Sequence, residues 1–136
     1  GVGSHKHMIE VDQELSKVGR KEIKVFFTPH LIPTFRGILS TIYLETKGKY
    51  SAKFIYNFLK KYHKNNFFIK FQKFNTPIGT GNVMNTNFCN ITVCSNRKKN
   101  KIIIVSTIDN LIKGASGQAV QNMNASYKIK ETLGLV

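Results

Sequence analysis

Two apolar segments separated by a short basic stretch constrain the fold of this chain more than any other feature. Residues 88–95 and 101–108 each have the length of one strand and are rich in apolar and β-branched side chains. The stretch between them is basic and contains Arg97, Lys98 and Lys99. Two strands joined by such a turn predict an antiparallel hairpin, and a hairpin tip explains these cations without a partner.

Helical periodicity predicts three helices. In the first, Met8, Val11, Leu15 and Val18 share one side and Gly19 ends the helix. An apolar stripe with lysines on the opposite side predicts a second helix over residues 51–63. A third helix is expected from about Lys113 to Asn124.

Three further strands are predicted, the first and third from alternating apolar residues and the second from its content of Ile, Leu, Thr and Tyr. They are Ile23 to Phe27, which ends at Thr28-Pro29-His30, then Gly37 to about Glu45, and Phe67 to Lys73. Residues 75–87 are rich in turn formers and should form a long loop. The order of helix, two strands, helix, three strands and helix predicts an α+β fold, a mostly antiparallel sheet with helices packed on one face.

The charge balance leaves two interpretations open. The formal net charge is +14 over 136 residues, which suggests a polyanion partner, but the lysines are scattered from Lys6 to Lys130. A lysine-biased solvated surface is therefore favoured. The alternative is a small basic nucleic-acid-binding module in which Phe67, Phe68 and Phe71 stack on bases. The absence of a long apolar run or a signal-like start predicts a soluble, cytosolic protein without membrane contact.

The two cysteines predict neither a disulfide nor a metal site. Cys89 and Cys94 lie five residues apart in one predicted strand, so their side chains should point to opposite faces. We expect reduced structural thiols in a reducing compartment.

The start of the third helix has an unusual composition. Gly114, Ala115, Ser116 and Gly117 are small, so a ligand can approach the backbone closely, as anions and cofactor edges do at helix N-termini. A poorly stabilised terminal helix is the equal alternative.

Four strings in the chain resemble the N-acetyl-gamma-glutamyl-phosphate reductases of arginine biosynthesis, and they occur in that family's order. They are Gly1 to His7 with the helix after it, Phe27 to Pro33 with Arg36 to Tyr43, Asn87 to Ile91, and Ile108 to Leu111 with Lys113 to Asn124. The resemblance implies a glyceraldehyde-phosphate-dehydrogenase-like C-terminal domain that associates into a homo-oligomer. It also implies a substrate-side domain over residues 1–112, with residues 113–136 returning toward a nucleotide-binding domain.

The resemblance assigns roles to individual residues in an NADPH-dependent reduction of an acyl phosphate to a semialdehyde. His5 matches the catalytic histidine. His7, His30 and Arg36 are candidate substrate-binding residues, the arginine as a clamp for a carboxylate, although His30 follows Pro29 and satisfying a backbone group is its alternative role. Gly114, Ala115 and Gln118 would contact NADP(H), which the nucleotide-binding domain would mainly hold. No metal is implied.

Two features of that family are missing from the sequence. The Ser-Asn-Pro-Gly-Cys string of its catalytic cysteine does not occur, and Gly79-Thr80-Gly81 is not a dinucleotide-binding fingerprint. We therefore expect this chain alone to be inactive and to need a separate nucleotide-binding domain. A scaffold or dimerisation domain without chemistry is a third possibility.

Overall fold

The computed structural model describes residues 5–136, which fall into two compact units. One unit ends at Thr34, and the other begins at Phe35. Residues 1–4 of the first family-like string lie outside the described residues. Each helix described is too short or too polar to cross a lipid bilayer. The boundary expected between residues 112 and 113 stays a prediction.

Helix α1 (Lys6–Gly19) confirms the first predicted helix. His5 is its N-cap: the side chain accepts a hydrogen bond from the backbone N–H of His7 at 3.3 Å. Arg20 ends the helix in the left-handed conformation, with a φ of 50°. The helix therefore begins at the histidine that the family resemblance singled out.

The strand predicted at Ile23 to Phe27 is wrong. The segment is extended and its side chains alternate between half-buried and exposed, but it joins no ladder. It runs back along α1 instead, where Ser16 Oγ accepts the N–H of Ile23 at 2.8 Å and Asp12 Oδ1 accepts the N–H of Val25 at 2.9 Å. Side chains of α1 thus satisfy backbone groups that a neighbouring strand would otherwise have paired.

A four-stranded sheet forms the second unit, with strand order β1-β4-β3-β2. The strands are β1 (Ile38–Glu45), β2 (Ile69–Phe71), β3 (Cys89–Ser95) and β4 (Lys101–Ile108). β4 pairs antiparallel with β1 and β3, which confirms the predicted hairpin, whereas β2 is parallel to β3. β2 is shorter than the predicted Phe67 to Lys73, because only three of its residues pair with β3. The α+β class is confirmed, with one strand rather than two before the second helix.

Helix α2 (Ala52–Tyr62) packs on β3 and β4 and closes the core. Ser51 caps it by accepting the backbone N–H of Phe54 at 3.1 Å. Ala52 and Tyr56 of the helix meet Val93 and Ile102 of the sheet, and all four are buried. The helix predicted over residues 51–63 is confirmed, but its buried side differs from the predicted stripe: Ile55 and Leu59 pack against this core, whereas Phe54, Phe58 and Tyr62 are exposed.

The phenylalanines of the nucleic-acid alternative are engaged within the protein. Phe68 is only 1% exposed, and Phe71 packs against the core beside Tyr56. Phe67 is 43% exposed but lies against the rings of Phe68 and Phe88. This packing contradicts a row of free stacking platforms and favours the core interpretation.

Candidate functional site

One buried carboxylate joins three segments of the second unit. Asp109 follows directly after β4 and its side chain is fully buried. The guanidinium Nε of Arg36 lies 2.8 Å from Oδ2 and 3.0 Å from Oδ1. The backbone N–H groups of Asn85, Leu111 and Ile112 donate to the same carboxylate at 2.7, 2.8 and 3.0 Å. The start of β1, the 75–87 loop and the chain after β4 are thereby tied to a single side chain.

These donors keep the Asp109 carboxyl charged in spite of its burial. Burial alone would raise its pKa, because it penalises the ionised form. The N–H of Asn85, the guanidinium of Arg36 and the N–H groups of Leu111 and Ile112 outweigh burial and lower the pKa below its ordinary value. The result is a buried ion pair whose carboxylate is saturated with donors.

Arg36, a predicted substrate-binding residue, is held through only one side of its guanidinium. Its side chain is 19% exposed, and its Nε is the atom that meets Asp109. Within residues 5–136 no hydrogen bond engages its Nη atoms. Asp109 itself was missed by sequence reasoning, although an Asp between a strand and a small-residue helix start is a recognisable N-cap signal.

A second connection runs parallel to this ion pair. Asn110 Oδ1 accepts the backbone N–H of Gly37 at 2.7 Å. Gly37 has a φ of +109°, and its Cα faces Thr80 so closely that a Cβ would stand 2.6 Å from Thr80 Cβ. Asp109 and Asn110, which follow β4, therefore hold Arg36 and Gly37, which precede β1.

The third helix begins differently from the prediction. Residues Ile112–Ser116 form a π-helical turn, and the α-helix α3 spans Gly117–Ser126. The wide turn is shown by the bond from Gly114 N to Asp109 O at 2.9 Å, five residues back. π-turns inside helices are frequent at functional sites. Sequence propensity cannot distinguish such a turn from ordinary helix.

The predicted cofactor-contacting residues lie on and just after this turn. Gly114 and Ala115 are exposed, and Gln118 is half-buried with its amide donating to Asn122 Oδ1 at 2.7 Å. A Cβ added at Gly114 would have no neighbour nearer than 3.5 Å. A Cβ would make ordinary van der Waals contacts there, so packing does not require glycine at this position.

Gly117 differs from Gly114 in what surrounds it, which gives a paired prediction. A Cβ at Gly117 would lie 2.5 Å from Asn87 Oδ1 and 2.5 Å from Ile112 Cγ2. Gly117→Ala should therefore lower the free energy of unfolding by about 1–3 kcal/mol through overpacking. Gly114→Ala should be neutral or stabilise by up to about 1 kcal/mol of helix propensity. Thermal unfolding of both variants measures the difference, and equal effects would contradict this packing.

A cluster of polar side chains surrounds Gln121 of α3, next to the turn at 112–116. Its Oε1 accepts from Asn87 Nδ2 at 2.9 Å and Lys113 Nζ at 2.6 Å, and its Nε2 donates to Glu131. Burial lowers the pKa of Lys113, while the nearby Cys89 and Glu131 act to raise it. Through Gln121 the cluster joins Lys113 of the turn to Glu131 in the last segment of the chain.

Both cysteines are free thiols in β3. Burial raises the pKa of the Cys89 thiol, and Lys113 only partly offsets this. An activated nucleophilic cysteine needs the opposite shift, toward the thiolate. In the part of the chain that the structure describes, no three His, Cys, Asp or Glu side chains are arranged to hold a metal ion.

The three predicted histidines belong to the first unit. Nδ1 of His5 accepts from His7 N–H, so Nε2 is the ring nitrogen left to meet another group. The His7 ring packs edge-on against His5 with centroids 4.8 Å apart. The ring of His30 contacts Thr28 O at 3.1 Å, which agrees with the alternative of satisfying a backbone group.

The chain is similar to several proteins of known name. A family model described as "Semialdehyde dehydrogenase, dimerisation domain" matches residues 1–110. The N-acetyl-gamma-glutamyl-phosphate reductase of Thermoanaerobacter pseudethanolicus is 45% identical over 134 residues, or 98% of this chain and 39% of that protein. The enzyme of the same name from Staphylococcus saprophyticus is 42% identical, over 99% of this chain and 39% of that protein.

Solved structures agree on the fold. Aspartate semialdehyde dehydrogenase II from Vibrio cholerae matches with a TM-score of 0.72 and 20% identity, over 93% of this chain and 38% of that one. Its complex with ASA matches with a TM-score of 0.70. The chain thus spans about two-fifths of the length of the proteins it resembles.

Proposed function

The chain belongs to the semialdehyde dehydrogenase dimerisation-domain family, and from this premise we propose that it is the C-terminal, substrate-side part of an N-acetyl-gamma-glutamyl-phosphate reductase. The observation that carries the proposal is 45% identity to such a reductase over nearly the whole chain. The pathway would be arginine biosynthesis and the compartment the cytoplasm. The family description also supports a homo-oligomer.

The reaction would convert an acyl phosphate into an aldehyde. A thiolate would displace phosphate from the acyl carbon to form a thioester, NADPH would supply the hydride, and release of the aldehyde would return the thiolate. The raised pKa of Cys89 supports a nucleophile from elsewhere, in the part of the relatives that this chain does not span. This chain would contribute the groups that bind the substrate and move the proton.

His5 and Arg36 have separate tasks in this scheme. His5 would exchange a proton with the thiol through Nε2, because Nδ1 is used in capping α1. Arg36 would bind the substrate carboxylate through its Nη atoms, since a planar guanidinium can donate two parallel bonds to two oxygens. His7 and His30 are secondary candidates for substrate contact.

The turn at 112–116 would meet the reactive end of the cofactor. Gly114 and Ala115 are exposed there and carry nothing larger than a methyl group, which supports a ring edge lying against the backbone. Gln118, about one turn further along, would add a side-chain amide. These residues fit a nicotinamide better than a metal, because none of them is a strong metal ligand.

A reconstitution experiment tests the proposal. The 136-residue chain alone should not oxidise NADPH in the presence of N-acetyl-gamma-glutamyl phosphate, because nucleophile and nucleotide fold are both missing. Joined to the N-terminal part of a reductase such as the Thermoanaerobacter enzyme, it should do so, with phosphate released in equal amount. The matched control is the same fusion with His5→Ala, which should fold but lose most of its turnover. NADPH oxidation by the chain alone, or an inactive but folded fusion, would refute the assignment.

A further inference from the structure

We infer that Asp109 is a positioning residue that aims the Nη atoms of Arg36 at the substrate carboxylate and links that arginine to the turn at 112–116. The inference rests on the proposed function, because it assigns Arg36 the role of substrate clamp. Asp109 would touch neither substrate nor cofactor. It would act through Arg36, which binds the substrate, and through the turn at 112–116, which meets the cofactor.

The geometry of the ion pair carries the first half of the inference. An arginine that meets a carboxylate through Nη1 and Nη2 uses the edge that best fits a planar anion. Here Asp109 takes only Nε, at 2.8 Å and 3.0 Å from its two oxygens. The guanidinium plane is fixed in this way while both terminal nitrogens stay free of hydrogen bonds within residues 5–136. Such an arrangement preorganises the arginine for a second anion.

The second half of the inference, the link between Arg36 and the turn at 112–116, rests on the Asp109 carboxylate that both contact. Oδ1, one of the two oxygens that hold Arg36, also accepts the N–H groups of Leu111 and Ile112, where the turn begins. Asn110 reinforces the same junction by accepting the N–H of Gly37, next to Arg36. A movement of the arginine must therefore move the backbone that starts the turn. Binding at the Nη atoms and the position of Gly114 should be thermodynamically linked.

The rival interpretation is an ion pair that only stabilises the fold. It predicts that Asp109→Asn lowers stability but leaves the affinity of the folded protein for an anion unchanged. A positioning role predicts a loss of affinity in molecules that are still folded. An anion-binding measurement on folded protein separates the two, whereas a melting temperature alone does not.

The experiment is an NMR titration of the ¹⁵N-labelled chain with N-acetyl-L-glutamate, followed through the side-chain Nε–H signal of Arg36 and the amides of residues 111–118. In the wild type we expect a sharp Nε–H signal that shifts on titration together with the amide of Gly114. In Asp109→Asn that signal should broaden, and affinity should fall roughly 10-fold or more, by analogy with the loss when a group that orients a metal ligand is removed. Glu45→Gln is the charge-matched control, since its carboxylate pairs with Lys101 on the exposed part of β1 and β4.

Each outcome decides a different claim. Equal affinity in wild type and Asp109→Asn would overturn the positioning role and leave the clamp role of Arg36 standing. Failure of N-acetyl-L-glutamate to shift any signal of the wild type at tens of millimolar would overturn both. If Asp109→Asn does not fold, Arg36→Lys gives the test, because an ammonium paired with Asp109 has no second edge for the ligand. A folded Arg36→Lys variant that binds like the wild type would then overturn the inference.

Discussion

Asp109→Ala is expected to lower the free energy of unfolding by about 3–5 kcal/mol, the usual cost of removing one partner from a buried ion pair. The substitution leaves Arg36 without its partner and removes the acceptor of three backbone N–H groups. A domain of this size has a total stability of about 5–15 kcal/mol, so the variant should be close to unfolding at moderate temperature. Urea unfolding followed by circular dichroism measures the loss.

The control for this variant is an exposed ion pair of the same chain. Glu45→Ala breaks the contact with Lys101, which lies at the surface, and should change stability little because solvent screens such pairs. If Asp109→Ala and Glu45→Ala have similar effects, Asp109 does not have the structural importance assigned to it here.

The Asp109 contribution should also depend on pH in one direction. Its pKa is lowered in the folded protein, so the contribution is complete above the unfolded pKa of about 3.9 and is lost as pH falls through the folded value. The stability difference between the wild type and Asp109→Asn should thus be constant from pH 7 to about pH 5 and shrink below about pH 4. A difference that instead grows with acidity would contradict the lowered pKa.

Gly37→Ala should be nearly as damaging, with an expected loss of about 3–5 kcal/mol from two sources. The φ of +109° is one that residues with a Cβ rarely adopt. A Cβ would also stand 2.6 Å from Thr80 Cβ and 2.7 Å from Thr80 Cγ2. The chain must shift either β1 or the Thr80–Asn82 turn to accommodate it, and both are attached to the Asp109 junction.

Gly48→Ala isolates the backbone contribution to that loss. Gly48 has a φ of +76° but nothing within 4 Å of its would-be Cβ, so only conformational strain should appear, about 1–2 kcal/mol. Combining Gly37→Ala with Thr80→Gly should recover part of the loss through relief of the clash. Equal losses at positions 37 and 48, with no recovery in the double variant, would exclude the clash.

The elements predicted well from the sequence were those whose evidence is local. Strand β1 and the β3–β4 hairpin are runs rich in apolar and β-branched residues over at least seven positions, and helix α2 has helical apolar spacing. The strand predicted at Ile23 to Phe27 has the right alternation and the wrong pairing. A ladder needs a partner, and here the side chains of Ser16 and Asp12 took that role.

The candidate site could be predicted only in part for a related reason. Family-like strings identified Arg36 and the small-residue turn, but nothing in either string indicates that they meet. Their junction depends on Asp109 and Asn110, which come 73 residues after the groups they contact, Arg36 and Gly37. Such pairings arise from tertiary structure, as does the π-turn, whose extra residue has no sequence signature.

The position of β1 in the sheet has a consequence for the order in which the chain assembles. β3 and β4 meet across a short connection, at Ser95 and Ile102, whereas β1 pairs with β4 from Ile38 opposite Ile108. Enclosing a long loop costs more chain entropy than enclosing a short one, and distant pairings slow folding. The hairpin and α2 should therefore nucleate the sheet, with β1 docking late. Arg36 would be among the last groups to reach its place on the folding pathway.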